Sequence, residues 1–151
     1  MKKSRQFAVA VATVLGMISG SAQAQTGADD GPSRSVPFGQ LRFAKTGLPD
    51  IENVAISPAY GDLKTRDHGT FVRWPAGYAS SLHTHQHEYM AIVVRGVVAN
   101  YHPGEKMIPL VPGSYWFQRG QEVHTTKCLS KTDCTFFLYM KGPFDHTVAV
   151  K

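Results

Sequence analysis

From residue 54 onward, apolar and β-branched residues recur in short runs. Each run is broken after a few positions by Gly, Pro or Asp. This pattern predicts strands over residues 54–57, 69–74, 82–99, 107–110, 114–117, 123–127 and 135–140. Turn signals separate them, among them Pro58, Gly61-Asp62, Pro75-Ala76-Gly77, Pro103-Gly104, Pro112-Gly113 and Gly142-Pro143. No long apolar stripe at helical spacing follows residue 24, and there is no internal repeat or heptad. Many short strands with Gly and Pro turns predict an all-β fold, a single small antiparallel barrel or sandwich.

The start of the chain reads differently. Lys2, Lys3 and Arg5 precede an apolar run over 7–18, and Ala22-Gln23-Ala24 is a small-x-small cleavage pattern. Together they predict a signal peptide over 1–24, cleaved after Ala24, and a periplasmic or secreted product. The run is shorter than the roughly 20 residues that span a bilayer, and no second one follows, so no membrane span is expected after cleavage. Residues 25–39 are rich in Gly, Asp, Ser and Pro and read as a flexible arm, which leaves 40–151 as one domain. Losing Lys2, Lys3 and Arg5 takes three charges from the formal +5 and leaves +2. A nearly neutral chain without a clustered basic face is no case for nucleic acid. Cys128 and Cys134 flank five mostly polar residues, and in an oxidising compartment such a pair is expected to close a disulfide across a hairpin.

The candidate chemistry lies in Leu82-His83-Thr84-His85-Gln86-His87-Glu88-Tyr89. Strand alternation would turn His83, His85, His87 and Tyr89 to one face, and imidazoles at i and i+2 can meet on one ion. A distant His124 follows a Pro-Gly turn and the aromatic run Tyr115-Trp116-Phe117, where a barrel could carry it back across the first strand. His68, His102 and His146 stand in polar or turn contexts and read as surface or loop. Tyr89, Tyr115, Trp116 and Phe117 are expected in the core or lining a pocket, and Arg95 and Arg119 in water near strand ends. No Ser-His-Asp arrangement, phosphate-cradling Gly loop or paired-carboxylate site is recognisable, so any chemistry would rest on a metal.

Both histidine segments resemble the signature motifs of the cupin superfamily. Gly77, His83, His85 and Gly96 match the first motif; Tyr89 stands where its Glu is usual, and Glu88 lies one residue earlier. Gly113 and His124 match the second, with Arg119, Gln121 and Cys128 in place of the usual Pro, Gly and Asn. Over about 54–145 the chain looks most like a group of bacterial exported cupins of unassigned function. The segments 112–118, 126–130 and 142–145 carry part of that likeness. The resemblance implies a jelly-roll barrel holding one divalent metal ion, Fe, Mn or Zn, through His83, His85 and His124. His87 and Glu88 are alternative fourth ligands, and a three-His site completed by water is the third arrangement. It further implies either a metal-dependent enzyme, dioxygenase-like or isomerase-like, on a small polar organic substrate, or a non-catalytic binding module for a small ligand or a metal. Open sheet edges make a homodimer the expected assembly.

Overall fold

The computed structural model describes residues 32–149. The predicted signal peptide, its cleavage site and residues 25–31 of the predicted arm lie outside the described residues. Residues 32–37 have no regular structure, and Arg34 Nη2 donates to the Ala59 carbonyl at 2.8 Å.

Among the described residues, ten strands and two short 3-10 turns (Phe38–Gln40 and Pro49–Ile51) make up the regular structure. The strands are β1 (Ala44–Lys45), β2 (Ala55–Gly61), β3 (His68–Trp74), β4 (His83–Thr84), β5 (Tyr89–Arg95), β6 (Val98–Tyr101), β7 (Tyr115–Gln118), β8 (Thr125–Cys128), β9 (Cys134–Met140) and β10 (Thr147–Val148). Six form an antiparallel sheet in the order β1-β2-β3-β9-β5-β7. The facing layer is built from the pairs β4/β10 and β6/β8. Bridges of Ala79 to Lys127 and of His83 to His124 join those two pairs. The result is the all-β, single-domain, jelly-roll type of architecture that the sequence pattern predicts.

Alternation places the core between the layers. Along β5, Tyr89, Ala91 and Val93 are buried while Met90, Ile92 and Val94 are exposed. Val72, Trp74, Trp116, Phe136, Leu138 and Met140 complete the inner faces. The bridge Cys128–Cys134 closes the β8–β9 loop as expected, with both cysteines fully buried.

Three expectations need correction. The predicted long strand over 82–99 is three strands. The chain bends at residues 86 and 87, and again at Gly96, whose φ of 79° favours glycine. Residues 107–110 do not form a strand; Leu110 alone bridges to Val98, and Ile108 is exposed. His68 is not a surface residue: it is 1% exposed. It continues the inward alternation of Trp74, Val72 and Thr70 on β3, which lies between β2 and β9.

Candidate metal site

His83 on β4, His85 just after it and His124 just before β8 are all buried, and one ring nitrogen from each lies within 4.8 Å of the others. The backbone brings them together. His83 and His124 exchange both N–H···O bonds at 3.0 Å, so their side chains start from directly opposed positions. His85 is tied to the second motif by Gln121 N, which donates to its carbonyl at 2.7 Å. Gln121, where the motif normally has Gly, adopts φ 62°. The left-handed turn is therefore kept, at a strain of about 1–2 kcal/mol for a side chain in that conformation. At Gly120 a Cβ would come within 2.5 Å of the Gln86 carbonyl oxygen, so only glycine lets the two motif loops pack this closely.

Each imidazole is oriented by a backbone carbonyl. His83 Nδ1 bonds to Ser81 O at 2.9 Å, His124 Nδ1 to Glu122 O at 3.0 Å, and His85 Nδ1 to Asp145 O. A carbonyl only accepts, so each Nδ1 carries the proton and each Nε2 keeps its lone pair. Burial pushes His83 and His85 down to about 3 and His124 down to about 4, and neighbouring imidazoles add to the effect at each. All three are thus neutral at physiological pH, the form that binds metal. This donor set fits a divalent ion taking imidazole nitrogens at about 2.0–2.1 Å after small side-chain adjustments.

The other two candidates are not brought to this cluster. Glu88 Oε1 accepts from Lys141 Nζ at 2.8 Å at the protein surface, and its side chain is 42% exposed. His87 packs against Gly142, where an added Cβ would lie 2.7 Å from the ring. The bend at 86–87 removes it from the face that simple alternation would give it. Tyr89, one residue beyond Glu88, points inward instead. Its Oη lies 3.2 Å from His124 Nε2 and accepts from Trp116 Nε1 at 3.3 Å. Burial pushes its phenol up to about 12, so the Tyr89 hydroxyl stays protonated and donates to the His124 lone pair. Tyr115 and Phe117, by contrast, are exposed on the outer face, as are Arg95 and Arg119 near strand ends.

His146 is the residue that sequence reasoning missed. It stacks on His83 with ring centroids 4.2 Å apart and planes 17° from parallel, and lies 5.9 Å from His85. The segment from Gly142 to Ala149 forms a strap that carries it there. Asp145 receives Gln86 N on its carboxylate at 2.9 and 3.0 Å, Phe144 N donates to Leu63 O, and Ala149 N donates to Leu82 O. The strap's position follows from β10 pairing with β4, a partnership with no local sequence signal. The resemblance over 142–145 stopped one residue short. His102 is half-buried, with Nδ1 bonded to Val123 O at 2.9 Å, and is not one of the clustered histidines.

Beside the histidines lies a cavity of about 40 Å³. His83, His85, Tyr89, Thr126 and His146 are among its polar lining residues, and Ile51, Val54, Trp74, Phe136, Leu138 and Phe144 among its apolar ones.

No protein-family model matches the sequence, and no curated protein does. Among solved structures, the chain is similar to the polyketide cyclase RemF of Streptomyces resistomycificus, at 16% identity and a TM-score of 0.65. That match covers 80% of this chain and 88% of the cyclase. A cupin-2 domain protein of Rhodospirillum rubrum matches at 12% identity and a TM-score of 0.62, over 79% and 81% of the two chains. The DMSP lyase DddQ of Ruegeria pomeroyi matches at 14% identity and a TM-score of 0.56. Here 72% of this chain is covered but only 61% of the lyase, so the chain spans less than two thirds of that enzyme's length. At these identities the likeness is one of fold, and the fold is that of the cupins.

Proposed function

We propose that this cupin-fold chain is an exported, metal-dependent enzyme acting on a small organic molecule, with one divalent ion, Fe, Mn or Zn, held by His83, His85 and His124. The observation that carries the reading is the anchoring of all three Nδ1 atoms on backbone carbonyls, which leaves each Nε2 unprotonated in a buried cluster whose ring nitrogens lie within 4.8 Å of one another. Such orienting bonds raise ligand basicity and fix the ring, as metal sites require. A divalent ion bound there supplies Lewis acidity toward a substrate oxygen, and Fe or Mn suits oxygen chemistry. The chain's own contribution is to exclude bulk water with the apolar cavity wall and to hold the Tyr89 proton beside His124. The reaction would be an oxidation of dioxygenase type or an isomerisation.

A second reading, a binding module without turnover, is favoured by one observation. Among the described residues no carboxylate joins the histidine cluster, and Glu88 is engaged with Lys141. Export is supported by the signal-like start of the sequence and by the buried Cys128–Cys134 bridge, which fits an oxidising compartment. A homodimer is supported by exposed Met90, Ile92, Tyr115 and Phe117, which pair across β5 and β7, the edge strand of the large sheet.

Elemental analysis of protein purified from its native compartment, followed by dioxygen consumption with small phenols and diketones, separates the readings. Bound Fe with turnover supports the enzyme, and stoichiometric Zn without turnover supports the module. Full metal content in a folded His124→Ala variant would refute the shared site.

A further inference from the structure

His146 is held where its polar atoms have no partner in the fold. Both ring nitrogens are buried and neither hydrogen-bonds to another residue. A buried donor or acceptor left unmade is costly, and native proteins rarely keep two on one ring without a water, ion or ligand to satisfy them. The ring is also held in place: it lies flat against His83, and Asp145 beside it is fixed by Gln86 N and by His85.

Its geometry rules out a simple place in the donor set. Imidazole lone pairs lie in the ring plane, and the His83 and His146 planes are nearly parallel at a 4.2 Å centroid separation. Lone pairs in stacked planes run side by side and do not converge within a bond length of about 2.0–2.1 Å. His146 accordingly falls outside the group of residues whose nitrogens come together. It does line the same cavity as His83, His85 and Tyr89, together with apolar residues.

We propose that His146 is the hydrogen-bonding anchor for the polar head of the small molecule that enters this cavity, beside the metal and not on it. The inference rests on the three-His metal reading. A cavity of about 40 Å³ holds about three or four water-sized atoms. Its mixed lining, imidazoles and hydroxyls together with Trp74 and Phe136, suits an oxygen-donor head, such as a carboxylate, on a short apolar body. Neutral imidazole offers a carboxylate head one N–H donor, and its other nitrogen can accept from a hydroxyl on the same molecule.

The test uses the full mature chain loaded with Co(II), with acetate as the probe. Cobalt stoichiometry is read by elemental analysis, and acetate affinity by the change in the cobalt visible spectrum. His146→Phe keeps the stacked ring and removes both nitrogens; His146→Gln keeps a donor and an acceptor. The expected result is full cobalt content in both variants, acetate affinity lowered at least about tenfold in His146→Phe, and partial recovery in His146→Gln. Equal acetate affinity in wild type and His146→Phe would overturn the proposal and leave the metal site standing. Loss of cobalt from folded His146→Phe would overturn it by making His146 a ligand. Wild-type protein that takes up cobalt and does not bind acetate would also overturn it. Failure of the wild type to take up cobalt would sink the metal reading itself, and this proposal with it.

Discussion

Acidification should unfold the metal-free protein unusually early, because the fold buries neutral imidazoles. His83 and His85 are pushed down to about 3, and His124 and His68 to about 4, in each case chiefly by burial. In the unfolded chain each returns to about 6.5. Folded values below unfolded ones mean that the unfolded state binds more protons, so stability rises with pH across this range. The contribution is fully present above about 6.5 and is lost as pH falls toward 4 and then 3. At pH 5, roughly 1.5 units below the unfolded value, each histidine forfeits about 2 kcal/mol, or about 8 kcal/mol for the four. A domain with about 5–15 kcal/mol to lose would be past its unfolding midpoint there at the lower end of that range and would keep about half its stability at the upper end. Urea titrations followed by far-UV circular dichroism, in a chelator between pH 8 and 4.5, measure this directly. The expected slope near pH 5 corresponds to uptake of about four protons on unfolding. Saturating Zn(II) should move the acid transition to lower pH, since binding to the folded state alone adds stability. Stability that stayed flat between pH 7.5 and 5 would refute the reasoning, because these imidazoles would then not be held neutral by burial.

Other perturbations probe separate parts of the fold. Tyr89→Phe removes the hydroxyl between Trp116 Nε1 and His124 Nε2, both at buried residues, and should cost about 1–3 kcal/mol in urea unfolding. The same change frees the His124 lone pair, so Zn(II) affinity by competition with a chromophoric chelator should not fall. Reducing Cys128–Cys134 opens a short loop and should lower stability by about 2 kcal/mol. A thiol assay should find no free thiol before reduction and two after it. Light scattering of the mature chain should give the mass of a dimer, and a Phe117→Lys change on the exposed outer face should shift it toward monomer.

The sequence by itself determined the fold class, because alternation and turn chemistry are local. The inward rows of β3, β5 and β9 can be traced residue by residue, and His68, expected at the surface, lies buried where counting back by twos from Trp74 puts it. Motif spacing was enough to pick out His83, His85 and His124, which the antiparallel bridge of His83 to His124 brings together in the fold. The tertiary structure alone decided the surroundings. A bend at residues 86–87, invisible to alternation, turned His87 away and left Glu88 with Lys141, while Tyr89 took the inward place beside His124. His146 reached the site only because β10, far along the chain and in no predicted strand, pairs with β4. A strand's face is written in its own residues, but its partner is set by which distant edge is left to pair, and that depends on the whole barrel.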